Sequence, residues 1–363
     1  MSILFTPIKI GSVTLPNRFV RSATHEYMAD DEGTVSTGQV ELYRRLAEGE
    51  VGLIVTGHAF VQPSGKASPR QTAVYDDRFV EGLALIPAAV HRFASRVFLQ
   101  IAHAGRQTKE RLCRCVPVSP SAVYDPVSKV MPRELTGDEI RTLIADFVAA
   151  AGRAKRAGFD GVQLHAAHGY LISSFLSPHT NRRTDEWGGP VEKRARVLLE
   201  ALRGAKDLCG RDFPVIVKLN STDFLEGGLT VDDAVEIARL LEAGGIDGIE
   251  VSGGMAEAGR GSVWPGLRSE SEEGYFVENA ARIKKAVRVP VFALGGIRTL
   301  AVAERIIEEG RADLVSFSRP LIRDPFLVKH FREGQTSKSE CISCNKCFNP
   351  RGIRCAELKG TRT

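Results

Sequence analysis

Over its 363 residues the sequence has no apolar run near the roughly 20 residues a membrane-crossing helix needs. Met1 to Ile10 also lack the basic region and apolar core of a secretion signal, so a cytoplasmic setting without membrane attachment is the expectation. Nowhere do five Lys and Arg stand together, although 49 basic residues outnumber 44 acidic ones. Without a basic stripe interleaved with aromatics, nucleic acid is not an expected partner. No repeat of fixed length recurs, which sets solenoids aside. With 43% hydrophobic and 26% charged residues, the chain is neither disordered nor collagen-like. Cysteine is scarce until the end: Cys113, Cys115 and Cys209 are scattered, whereas Cys341, Cys344, Cys347 and Cys355 crowd together. In a cytosolic chain such crowding points to metal ligation rather than disulfides.

What is present is an alternation. Eight short apolar, β-branched runs, at 18–23, 52–57, 97–102, 161–165, 215–220, 248–252, 290–294 and 313–317, are each followed by a stretch with helical spacing. Runs that are apolar throughout read as strands covered on both faces, so the expected fold is α/β, a (β/α)8 barrel. Capping boxes at Thr136/Glu139 and Thr230/Asp233 open two of the helices. Gly158, Gly244 and Gly310 stand where left-handed caps would close helices. Ile8-Lys9-Ile10 and Val13-Thr14-Leu15 around Gly11-Ser12 read as a hairpin closing the barrel bottom. The expected division is a barrel over 1–335 and a Cys-rich tail over 336–363.

In such a barrel the active site gathers at the C-terminal strand ends. Read in order, those ends offer Thr24-His25, Gly57, Gln100 and His103, His165 and His168, Lys218, Ser252-Gly253-Gly254, Gly295-Gly296, and Ser318-Arg319. The last two fall where barrels bind phosphate, with Arg319 a bidentate cation. His165 and His168 could be a helical metal pair or packed core histidines, but no third ligand is near in sequence. Two N–H donors converging on a substrate oxygen would polarise a carbonyl, and the phenol of Tyr170 could supply a proton.

The stretch from His165 to Pro178, continuing through Asn181–Asp185 and Gly188-Gly189, resembles the central motif of the old yellow enzyme family of FMN-dependent oxidoreductases. Leu4–Ile8, Asn17–Val20, Gln100–Arg106 and Ala293–Ile297 resemble further family segments in the same order. The resemblance implies that Ser22, Ala23 and Thr24 line FMN through their backbone and that Gly57 lets the ring approach. It further implies that Gln100 bonds the pyrimidine edge and Lys218 supplies the cation beside it, while Gly295, Gly296, Ser318 and Arg319 hold the phosphate. His25 would tune the flavin or substrate side, and Tyr27 would touch substrate. The implied reaction takes hydride from NADH or NADPH to non-covalent FMN and then to an alkene conjugated to a carbonyl. His165 and His168 would grip the carbonyl oxygen and Tyr170 would protonate carbon. The substrate expected is a small enone or enoyl compound, and relatives imply a homo-oligomer.

The spacing Cys341, Cys344, Cys347, then Cys355 resembles the iron–sulfur segment of larger members of that family. Four thiolates could hold a [4Fe-4S] cluster, take zinc, or stay free. A cluster would call for a redox partner protein, the alternative being a dehydrogenase or electron-transfer subunit.

Overall fold

The computed structural model describes residues 2–259 and 261–358. Eight parallel strands, β1 (Phe19–Arg21), β2 (Leu53–Val55), β3 (Arg96–Ala102), β4 (Gly161–Ala166), β5 (Val215–Asn220), β6 (Gly248–Ser252), β7 (Val291–Ala293) and β8 (Leu314–Phe317), pair in chain order. Strand β8 pairs back onto β1, so the expected (β/α)8 barrel closes. Around it lie α1 (Thr37–Glu48), α2 (Val80–Val90), α3 (Gly137–Arg156), α4 (Val191–Cys209), α5 (Val231–Ala243), α6 (Val277–Ala286) and α7 (Leu300–Glu308).

The period-two alternation of strand side chains explains both layers. Residues of one parity, such as Ile54, Val97, Leu99, Val162, Val217, Val251 and Val315, join one cluster with helix residues such as Leu143, Phe147 and Leu198. Residues of the other parity point inward. At the bottom these are Val20, Leu53, Phe98, Ile216, Phe292 and Leu314, and Ile10 and Leu15 of the hairpin pack into them. Both hairpin residues are fully buried, each contributing about 1.5–3 kcal/mol of apolar burial. Two residues further along the strands, the same inward positions turn polar: Ser22, Gln100, Lys218 and Ser316. A dry apolar floor thus carries a polar layer facing the C-terminal strand ends.

Both expected capping boxes form, at Thr136 with Glu139 and at Thr230 with Asp233. Gly158 and Gly310 take left-handed backbone, at φ +89° and +65°. After α5 the cap differs from the expectation: Gly244 stays right-handed at φ −78°, and Gly245 makes the left-handed turn at φ +88°. The chain doubles a glycine there, and the helix runs one residue further before reversing.

The tail lies over the C-terminal strand ends. Its backbone bonds Gly266 N–H to Ser343 O, Ser339 N–H to Arg298 O, and Ile353 N–H to Glu26 O. Among the described residues no helix is long and apolar enough to cross a membrane.

Candidate active site

A cavity of about 190 Å³ opens at the C-terminal strand ends. Its walls include Ser22, Ala23, Thr24 and His25 after β1, Gln100 of β3, His165, His168 and Tyr170 from β4 onward, Lys218 of β5, Gly296 after β7, and Ser318 and Arg319 after β8. A wider cleft of about 1190 Å³ lies on the flank between α1 and the tail. It is lined by Glu41, Arg45, Lys338 and Glu340 and gathers none of these histidines or Tyr170.

A chain of hydrogen bonds orders the cavity floor. The Glu250 carboxylate accepts from Gln163 Nε2 at 2.9 Å and pairs with Lys218 Nζ at 3.3 Å. A carboxylate only accepts, so Gln163 must present its NH2 to Glu250 and its oxygen to Gln100, whose Nε2 donates at 2.7 Å. The orientation of Gln100 is thereby set, with its own oxygen left as an acceptor. Lys218 donates to Ser22 Oγ at 2.8 Å, and burial lowers its pKa while Glu250 opposes that shift. Ser316 Oγ and Glu250 Oε1 are buried without a hydrogen-bond partner. Buried polar atoms are mostly paired, so these two are free to meet a water or a ligand.

Above the floor the rings of His165, His168 and Tyr170 meet edge to face. Centroids are 5.2 Å apart for the two histidines and 4.8 Å for His165 and Tyr170. His165 Nδ1 accepts Ala167 N–H at 3.3 Å, which places the ring proton on Nε2. His168 holds a left-handed backbone at φ +64°, its N–H on Asn220 Oδ1 and its Nε2 beside Ser252 Oγ at 2.8 Å. Burial, reinforced by Lys218, takes His168 down to about 3. Burial likewise takes His58 to about 4 and His103 to about 3, and puts His25 and His165 well below the usual imidazole value. At neutral pH these are uncharged N–H donors.

A stability consequence follows. Because these imidazoles stay neutral when folded and protonate near pH 6.5 when unfolded, the unfolded chain binds more protons below that value. Their contribution is complete above pH 6.5 and is lost as pH falls toward 4, at roughly 1.4 kcal/mol per histidine by pH 5.5. Urea unfolding should show a clearly lower midpoint at pH 5.5 than at pH 7.5; equal midpoints would contradict buried neutral histidines.

Three expected residues sit elsewhere. Gly57 does not line the cavity: its N–H donates to Glu26 Oε1 and Tyr43 Oη, and a Cβ there would meet the Glu26 carboxylate at 2.1 Å. Its smallness serves Glu26. Gly295 is also outside the lining, and a Cβ on it would strike the backbone of Tyr275 and Phe276 at 2.9 Å. Tyr27 is outside the lining as well: its ring centroid is 3.8 Å from that of His25, the planes tilted by 47°, and its phenol adds to burial in raising the pKa of Tyr170. Conversely, His58, Ser316, Tyr275 and Phe348 line the cavity without having been singled out in the sequence. Inward parity on β8 would have exposed Ser316, and the first position past Gly57 would have exposed His58.

Arg319 lies between this cavity and a second one of about 20 Å³ lined by Cys341, Cys344, Cys347 and Cys355. Its Nη1 donates to Trp264 O at 2.8 Å and Asn345 Oδ1 at 2.7 Å, so the tail holds the cation expected to meet a phosphate. The expected cluster or zinc site is not supported. Among the described residues no group of three or more His, Cys, Asp and Glu side chains is placed to hold a metal ion. Burial pushes the Cys347 thiol up to about 11 and raises Cys341, so both are protonated in the metal-free protein.

Comparison with known proteins places this arrangement. The model of the NADH:flavin oxidoreductase / NADH oxidase family matches residues 3–338. An NADH oxidase of Thermoanaerobacter brockii is 41% identical over 362 residues, covering 99% of this chain and 55% of the relative. The structure of 2-naphthoyl-CoA reductase with 2-naphthoyl-CoA superposes with a TM-score of 0.90 at 32% identity, over 95% of this chain and 54% of that one. An old yellow enzyme homologue from Zymomonas mobilis superposes with a TM-score of 0.80 at 29% identity, over 93% and 95%. The chain thus spans about half the length of its first curated relatives. With the barrel, the His165–His168–Tyr170 cluster and this match over nearly the whole chain in agreement, the chain belongs to the NADH:flavin oxidoreductase / NADH oxidase family.

Proposed function

We propose that the barrel binds FMN without a covalent bond and, with NADH or NADPH as reductant, reduces a C=C bond conjugated to a carbonyl. The observation that carries the reading is the single cavity in which neutral imidazoles and a phenol face an ordered Lys218–Glu250–Gln163–Gln100 floor.

The residues present fit FMN. Gln100 offers an acceptor and Lys218 a buried cation for a pyrimidine-like edge, Ser316 has an unsatisfied hydroxyl, and Gly296 and Arg319 stand at the end suited to phosphate. When bound, FMN supplies the hydride relay between nicotinamide and substrate. His165 and His168 would donate to the substrate oxygen as negative charge grows there, which helps the transition state more than the ground state. Tyr170 keeps its proton at neutral pH, burial raising its pKa further, and would give it to the carbon beside the carbonyl. The apolar floor of Val20, Phe98 and Phe292 keeps water out from below.

The enone or enoyl substrate class, a cytoplasmic setting where NAD(P)H is at hand, a homo-oligomeric state and the boundary near residue 335 belong to the same proposal. The test is anaerobic spectroscopy of FMN-loaded protein, with NADPH or NADH added first and 2-cyclohexenone second. Bleaching of the flavin bands followed by their return is expected. Protein that takes up no FMN, or flavin that the enone fails to reoxidise, would overturn the reading.

A further inference from the structure

His58 follows β2, is 7% exposed and lines the cavity, yet the mechanism above gives it no part. Its surroundings set its tautomer. The oxygen of Gln71 accepts Ala67 N–H at 2.7 Å, so the other end of that buried amide is its NH2 group. That NH2 lies 2.6 Å from His58 Nδ1 and 3.1 Å from His58 O, both of which must accept. With Nδ1 accepting, the ring proton is on Nε2. Nε2 in turn lies 3.5 Å from Tyr170 Oη, long for a hydrogen bond but the sort of contact that shortens once substrate fills a site. The two rings are 5.3 Å apart between centroids.

We infer that His58 is a positioning residue for proton delivery: held by Gln71 as the Nε2–H tautomer, it donates to the Tyr170 oxygen, turns the phenol's own proton toward the cavity and stabilises the phenolate left behind. The inference rests on the reading of Tyr170 as the proton donor. In that step the Tyr170 O–H bond breaks and a C–H bond forms beside the carbonyl, using the electron pair that hydride addition leaves on the substrate. His58 keeps its proton throughout, and water restores the Tyr170 proton after product leaves. Burial makes such help useful, because it raises the pKa of Tyr170 and so disfavours the phenolate. Burial also keeps His58 uncharged at neutral pH, a donor through Nε2 alone.

The test separates the two half-reactions of the FMN-loaded enzyme in a stopped-flow instrument. Reduction by NAD(P)H needs no proton from Tyr170, whereas reoxidation by 2-cyclohexenone does. His58→Leu should leave reduction within about twofold and slow reoxidation at least about tenfold. His58→Gln, whose amide can stand in for the Nε2–H, should recover most of that loss and guards against a folding defect in the leucine variant. In a Tyr170→Phe background His58→Leu should add nothing further. Independently of turnover, 15N NMR of labelled histidine at pH 7 should show His58 Nδ1 unprotonated and Nε2 protonated. The opposite tautomer, or a His58→Leu enzyme reoxidised at the wild-type rate while Tyr170→Phe is slow, would overturn the inference. If Tyr170→Phe itself is reoxidised at the wild-type rate, the reading of Tyr170 fails and His58 loses its role with it.

Discussion

Lys218→Met should give a protein that is less stable by about 3–5 kcal/mol and that loses FMN during purification. The cation is 2% exposed and pairs with Glu250, which is fully buried and already has one oxygen unpartnered. Removing only the lysine strips the buried carboxylate of its paired cation and leaves Arg21 as an attraction beyond ion-pair distance, the costly half of breaking a buried pair. It also releases Ser22 Oγ from its donor, so the backbone after β1 loses an anchor. Lys218→Met with Glu250→Gln should recover most of the stability, since no isolated charge then remains. The double variant should still differ at the cofactor, its FMN potential lower by about 20–40 mV if the lost cation is worth roughly 1–2 kcal/mol to the reduced form. Urea titrations and potentiometry of the reconstituted protein check both halves. A single variant as stable as wild type, with an unchanged potential, would remove Lys218 from the site.

His168→Ala should lower kcat/KM for an enone by about 10²–10³, the loss typical of removing one oxyanion donor, with FMN still bound. The side chain faces the cavity from the loop after β4, its Nε2 beside Ser252 Oγ, while the His168 backbone N–H on Asn220 Oδ1 is untouched by the substitution. Phenolic inhibitors, whose oxygen mimics the substrate oxygen, should weaken in parallel, measurable by titrating the flavin spectrum. Release of FMN from this variant would instead place His168 in the cofactor site. The left-handed backbone at φ +64° argues for alanine rather than a β-branched replacement, which would strain the turn and confuse the result.

Much of the barrel is legible locally. The eight apolar runs, the two capping boxes and the turn at Gly11 depend on neighbours within a few residues, and each forms where its pattern stands. The strand-end rule then brings ten residues of the cavity wall within reach of the sequence, His165, His168, Lys218 and Arg319 among them. At Gly57 and Gly295 the rule misleads, because a glycine can be small for the sake of a protein neighbour as readily as for a ligand. Gly57 makes room for Glu26, 31 positions away in sequence, and no local pattern announces that contact.

By itself, then, the sequence determined the period-two strands, the helices, their order and hence the barrel, since these follow from short-range sterics and from the burial of apolar faces. Tertiary structure alone decided which polar residues answer one another. Glu250, Gln163 and Gln100 come from three different strands, and only closure of the barrel stacks them into a chain that orients one amide through the next. Gln71 and His58 likewise acquire their donor and acceptor roles from the Ala67 N–H that occupies the far end of the amide. The tail shows the same limit: its cysteine spacing suggested metal, but among the described residues the fold places no three His, Cys, Asp or Glu side chains to hold one, although all four cysteines line the small cavity beside Arg319. Hydrogen-bond direction, protonation state and ligand geometry are set by distances of a few ångströms across segments far apart in the chain, and those distances exist only once the barrel has closed.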